Sequence, residues 1–332
     1  MGKRLSQIGN IRALAIFLVV LGHSIILYST GWDLYETTVS VPWLDMLKQI
    51  INIVQMPLFF SLSGYLFVFT HGKKRGFVHL LKNKALRLLV PYLGIGLCFL
   101  LPIRLAIGFT SYQNMKIGDF ALKLLTSNDV GHLWFLPALF LIFLLGEIIL
   151  TVLEKIPVVR KYSAMALCAV SLALYLEGYR VNLGYPPLMS AYSYLIWFSL
   201  GYLLNVYQKP LRKVYGIRGM KWALLALNVG LMAYCLFADS VRVMVSMVIV
   251  ALSIVNAYGA MPEKPCALLE KIDRNSFGVY LFHSPLIYIT FATIPNAHPA
   301  IVVFINLVIF GAAAYGMTAL IRKTKLKVLI GE

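Results

Sequence analysis

Charge is scarce in this chain, and negative charge scarcest. Only 13% of its 332 residues are charged, with 13 Asp and Glu set against 30 Lys and Arg. Apolar residues make up 60%, and the mean hydropathy is +0.80. A soluble domain of this length needs polar groups to cover its surface, and too few are present. That shortage excludes a water-soluble globule and predicts one membrane domain filling residues 1–332, with no appended soluble domain. Cysteine is rare as well. Cys98, Cys168, Cys235 and Cys266 form no pair with metal-ligand spacing, so neither a metal module nor a disulfide framework is expected. They read as small buried apolar side chains. Low-complexity tracts and internal repeats are missing. A small-x-small cleavage site is missing too, so the first apolar run, Ile11–Tyr28, reads as a retained helix rather than a signal peptide.

What is present is a series of long apolar runs. A hydrocarbon core about 30 Å thick is crossed by about 20 apolar residues in a helix. Runs of that kind lie near 10–28, 50–70, 88–108, 132–152, 163–178, 188–207, 220–238, 241–260, 277–295 and 299–321. They predict an all-α polytopic integral membrane protein of about ten transmembrane helices, with a tight turn at Ala238–Ser240 joining the seventh and eighth. A formal net charge of +17 would suit a nucleic-acid binder if it formed one stripe or arm. Here the cations sit in short loops between spans, which makes them a topology signal and argues against nucleic acid. Taken alternately, the loops hold 23 Lys and Arg on one side, and on the other only Lys48, Arg104, Lys116, Lys123, Arg180 and Arg242. The positive-inside rule then places both termini in the cytoplasm, N-in and C-in. In the longest outer loop, Phe120, Ala121, Leu124 and Leu125 predict an interfacial amphipathic helix over Ile117–Thr126.

Ionisable groups inside a bilayer are costly, so each is a candidate for function. Arg12 and His23 lie in the first span on one helical face, about 16 Å apart along the axis. Structural pairs use three- or four-residue spacing. Two readings remain: a histidine satisfied by its neighbours, or one polar face lining a passage through the protein. Glu147, in the fourth span, is expected to neutralise Arg12 or Arg87. His283 shares a face of the ninth span with Ser276, either as glue between helices or as part of a site. His132 and Trp134 open the fourth span, where interfacial anchoring is the ordinary reading. Lys84 and Arg87, three residues apart before Pro91 and Tyr92, serve either as positive-inside anchors or as a phosphate clamp.

Taken together, these segments resemble the acyltransferase family 3 membrane proteins, which O-acylate bacterial envelope sugars and some other small molecules. The resemblance rests on Arg12-x10-His23, on the segment from Met56-Pro57-Leu58 to Gly64-Tyr65-Leu66-Phe67, and on Lys84-x-x-Arg87 before Pro91-Tyr92. It rests also on His132-Leu-Trp134-Phe-Leu136 and on Ser276-Phe-Gly-Val-Tyr280-Leu-Phe-His283. These pieces occur in the family's order and cover essentially the whole chain. The resemblance implies an acetyl-CoA-dependent O-acyltransferase of the bacterial inner membrane, transferring groups other than aminoacyl groups. It implies His23 as the catalytic histidine, Arg12 as its partner, and Lys84 and Arg87 as contacts for the phosphates of acyl-CoA. His132, Trp134, Glu147, Ser276 and His283 are further candidates. Many family members carry Arg at both ends of the short motif; Lys84 at its first position binds phosphate without a bidentate fork.

Acyl transfer from a thioester to an alcohol needs an anion site, a base and a polarised carbonyl. His23 suits the base, either acting directly on the hydroxyl or carrying the acyl group covalently. Acyl-CoA enters as co-substrate, and no bound cofactor is expected. The acceptor class implied is an envelope glycan or lipid-linked sugar, such as O-antigen or exopolysaccharide. A separate extracytoplasmic transferase is an expected further partner, because some family members carry a hydrolase-like domain for that step. A transporter or flippase for an envelope sugar or lipid intermediate is the alternative. It predicts inverted repeats or broken helices in matching halves, and neither is clear in the sequence.

Overall fold

Long apolar runs in lipid leave the backbone no hydrogen-bond partner but itself, so they close into helices. In the computed structural model, residues 2–30, 35–71, 76–113, 115–178, 184–237, 242–262, 264 and 266–332 are described, and every regular element among them is helical. The principal helices are α1 (Gly2–Ser24), α2 (Pro42–Phe67), α3 (Gly76–Ala106), α4 (Ile117–Thr126), α5 (Gly131–Glu154) and α6 (Ser163–Gly178). They continue with α7 (Pro186–Val206), α8 (Gln208–Gly216), α9 (Met220–Phe237), α10 (Arg242–Ala260), α11 (Ala267–Thr293) and α12 (Pro299–Ile321). Among the described residues α1, α2, α3, α5 and α12 are long and apolar enough to cross a membrane, and α6, α9 and α10 contain shorter apolar helices. Exposed side chains such as Trp222, at 68%, and Phe304, at 56%, find a natural environment in lipid. The chain is a helical membrane protein.

Two spans begin well before their hydropathy predicts. Helix α2 starts at Pro42 and α3 at Gly76, so basic residues assigned to loops are taken up in helices. Lys48 and Arg104, counted above as loop cations, are 2% and 1% exposed within α2 and α3. The Ala238–Ser240 turn and Arg180 lie outside the described residues. Helix α4 forms over the residues predicted for it. Phe120 and Leu124 are buried, while Ile117, Leu122 and Leu125 face outward.

The bundle is built around α1, α2 and α11. Helix α1 packs on α2 and α11, α2 also packs on α7 and α10, and α11 also packs on α12. The α2–α7 crossing is close because two glycines meet opposing backbone: a β-carbon on Gly64 would collide with the Phe198 carbonyl, and one on Gly201 with that of Ser61. Prolines set the local geometry of α3. Pro91 and Pro102 have no N–H to give the carbonyls of Arg87 and Cys98, and the helix widens to π turns over Ala85–Leu89 and Gly96–Leu100.

Candidate active site

The parallel packing of α1 against α11, which sets Arg12 beside Asp273 near one end, brings His23 to His283 near the other. Nδ1 of His23 lies 2.8 Å from Nε2 of His283, and the rings stack with centroids 5.0 Å apart. His283 is fully buried, and its Nδ1 lies 2.9 Å from the carbonyl oxygens of both Val279 and Tyr280. A carbonyl only accepts, so Nδ1 of His283 carries the proton and its Nε2 presents a lone pair. Nδ1 of His23 must then donate to that lone pair. This assignment leaves Nε2 of His23 with a lone pair and no hydrogen-bond partner among the described residues. Backbone carbonyls thus fix the tautomer of the outer imidazole through the inner one.

His132 completes the group. It sits in the 3-10 turn Gly131–Trp134 at the start of α5, 6% exposed, its ring centroid 5.5 Å from that of His283. Its Nε2 donates to the Leu281 carbonyl at 3.1 Å. That carbonyl is available because Pro285, four residues on, has no N–H to occupy it. Nδ1 of His132 is buried without a partner among the described residues. The turn is braced from α3, where the guanidinium of Arg104 donates to the Asp129 carbonyl at 2.7 Å and lies 4.4 Å from the Phe109 ring centroid. His23, His132, Trp134, Ser284 and Tyr288 line a pocket of about 230 Å³.

A larger cleft of about 470 Å³ opens at the end of the bundle that holds the chain termini. Arg12, Lys84, Arg87, Arg274 and Arg322 line it, above an apolar wall that includes Met56, Phe59, Leu62, Phe135, Leu139 and Phe143. Arg12 pairs with Asp273 at 3.2 Å, in space left by Gly9. Nζ of Lys84 lies 3.3 Å from the centre of the Phe143 ring. Arg322 donates through Nη1 to Asn275 and through Nε to the Glu332 carboxylate at 2.8 Å. Tyr280 forms part of the cleft wall, and its hydroxyl donates to the His132 carbonyl. One residue therefore touches both the cationic cleft and the histidine group.

Two expectations are refined and one changes in these surroundings. Arg12 and His23, about 16 Å apart along α1, serve different places: Arg12 lines the cleft and His23 the histidine pocket. Ser276 lines the cleft while His283 lies with the histidines, so their shared face spans two places rather than one. Glu147 neutralises neither Arg12 nor Arg87. It meets His71 at 2.9 Å, and Glu154 takes the other ring nitrogen at 3.1 Å. Burial disfavours the charged His71, yet Glu147 and then Glu154 outweigh it and hold its pKa above the ordinary value. A histidine raised on folding adds stability below its unfolded pKa, about 6.5, and loses it as pH climbs through the folded value. Thermal unfolding across pH 6 to 9 is therefore expected to show a decline in wild type above about pH 6.5 that is reduced in His71→Gln.

Residues 5–321 match a family model described as an acyltransferase domain. The chain belongs to acyltransferase family 3. Comparison with curated proteins and with solved structures gave no match. In this membrane acyltransferase the family resemblance read from five short motifs holds across nearly the full length. Arg274 and Arg322 escaped the sequence reading because both resemble ordinary topology cations at helix ends. Tyr280 lay within a quoted motif, but its bridging place needs the fold to be seen.

Proposed function

We propose that this acyltransferase moves an acyl group, acetyl the simplest, from cytoplasmic acyl-CoA to a hydroxyl of an envelope polysaccharide or lipid-linked sugar. The observation that carries the reading is the Nε2 lone pair of His23, fixed by His283, close to a group that also borders a five-cation cleft. With both termini in the cytoplasm of a bacterial inner membrane, that cleft faces the compartment where acyl-CoA is made. The bias of Lys and Arg between alternate loops supports this orientation. Lys84, Arg87, Arg274 and Arg322 bind the donor phosphates by charge and forked hydrogen bonds, and the apolar wall accepts the pantetheine arm.

Nε2 of His23 takes the proton of the acceptor hydroxyl as its oxygen attacks the thioester carbonyl carbon. The tetrahedral intermediate collapses with cleavage of the C–S bond, and the CoA sulfur leaves with the proton returned from His23. Throughout, Nε2 of His283 accepts from Nδ1 of His23 and steadies the positive charge on the ring. Acyl transfer to His23 itself, followed by attack of the acceptor on the acyl-imidazole, uses the same nitrogen. No nucleic acid or bound cofactor enters either route.

The cellular test is the content of alkali-labile acyl esters on envelope polysaccharide. The ester is expected to vanish both on deletion of the protein and on its replacement by His23→Ala. Esters unchanged in the deletion strain would rule out a polysaccharide acceptor.

A further inference from the structure

Helix α2 carries a polar stripe that the mechanism above does not use. Lys48, Asn52, Gln55, Phe59 and Ser63 recur at three- and four-residue steps and so share a face. Phe59 and Ser63 line the cationic cleft, and Lys48 lies toward the far end of the stripe. Its ammonium rests against Gly22, the residue before His23. A β-carbon on Gly22 would sit 3.3 Å from Nζ of Lys48 and 2.9 Å from Oε1 of Gln55.

Lys48 is 2% exposed, and no described residue gives it a hydrogen bond or ion pair. Oε1 of Gln55 is buried and unpartnered too, its amide nitrogen being spent on Asn52 at 2.9 Å. Other cations drawn out of solvent have a partner: Arg12 has Asp273, Arg104 has Asp129, and Lys84 lies over Phe143. His23 is an ionisable neighbour of Lys48, Asp45 three residues earlier on the helix is bonded to Thr30 and Gln49, and no described carboxylate pairs with His23, His132 or His283. A buried ammonium with no partner among the described residues is strongly disfavoured in lipid, so a counter-charge brought by a ligand has much to gain there.

We propose that Lys48 holds an anionic group of the acceptor, a carboxylate or a phosphate, while a hydroxyl of the same molecule meets Nε2 of His23. The role of the hydroxyl rests on the acyl-transfer reading; the anion site does not. The arrangement also couples binding to chemistry. A proton arriving on His23 beside a bare Lys48 puts two like charges in a low-dielectric space, and an acceptor anion cancels one of them. The preferred acceptor is thus an acidic or phosphorylated sugar rather than a neutral one.

The test uses the full chain in lipid nanodiscs, with glucose, glucuronate and glucose 1-phosphate as probes of thermal stability. Glucuronate or glucose 1-phosphate is expected to raise the melting temperature where glucose does not, and the one that acts identifies the anion. Lys48→Met is expected to fold, being at least as stable as wild type without ligand because an unpaired charge has gone. It is expected to lose the anion response, and Lys48→Arg to keep it. With acetyl-CoA present, transfer to the effective anionic sugar should exceed that to glucose by about 10-fold or more in kcat/KM, a preference absent in Lys48→Met. Equal responses to all three sugars, or an anion response retained in Lys48→Met, would overturn the proposal. A Lys48-dependent anion response with no acyl transfer to any sugar would uphold the anion site and count against the acyl-transfer reading instead.

Discussion

Replacing His23 by alanine is expected to lower acyl-transfer turnover by about 100- to 10,000-fold, the usual contribution of a general base. The fold should survive, because His23 lies beside a pocket and its main partner keeps its own carbonyl bonds. The companion variants at His283 make the argument specific. His283→Ala removes the acceptor that fixes the His23 tautomer, and a loss of about 10- to 100-fold is expected, on the scale of removing the hydrogen-bond partner that orients a metal-bound histidine. His283→Gln can still accept from Nδ1 of His23 through its amide oxygen and is expected to recover part of that loss. The deficit should fall on kcat, with KM for both substrates little changed, and the pH profile should shift. Equal activity of wild type and His283→Ala in kcat and pH profile would remove His283 from the mechanism.

Removal of cleft cations is expected to produce the second large effect. Arg87→Ala and Arg322→Ala should each raise KM for acyl-CoA by about 10- to 100-fold, as expected for a charge-assisted hydrogen bond of about 1.5–3 kcal/mol. KM for the acceptor should stay within about twofold, since binding energies at separate sites are close to independent. Glu332→Gln should act in the opposite direction, because the Glu332 carboxylate occupies Arg322 in the free protein and competes with donor phosphate. The donor KM should also rise with ionic strength, which screens such contacts. Measurement of both KM values in detergent or nanodiscs at two salt concentrations checks all three expectations. An unchanged donor KM in Arg87→Ala and Arg322→Ala would separate this cleft from donor binding.

Much of the fold was legible in the sequence because lipid leaves so few solutions. Apolar length gave the helices, and α6 and α12 keep their predicted limits. The misplaced starts of α2 and α3 share one cause. Hydropathy treats Lys48, Lys84 and Arg87 as interruptions, whereas a helix accommodates them once a partner helix or a cleft takes the side chain. The same blindness explains Glu147, whose partner is His71 from a neighbouring turn rather than an arginine. His23 was legible because a histidine inside an apolar run is costly. Its contact with His283, 260 residues away in the chain, was not, because it depends on α1 and α11 lying side by side. Lys48 was read as a loop cation because it precedes the apolar run, yet its side chain is buried and has no hydrogen bond or ion pair among the described residues.

The most direct test of the central claim uses inverted membrane vesicles containing the protein, supplied from the cytoplasmic face with acetyl-CoA labelled in the acetyl group. Label is expected to move into an alkali-labile ester on glycan or lipid-linked sugar, with one CoA thiol released per ester formed, and the His23→Ala vesicles should form none. Ester formation at the wild-type rate in His23→Ala vesicles would contradict the assignment of this histidine, and label remaining on CoA in both would contradict the reaction itself.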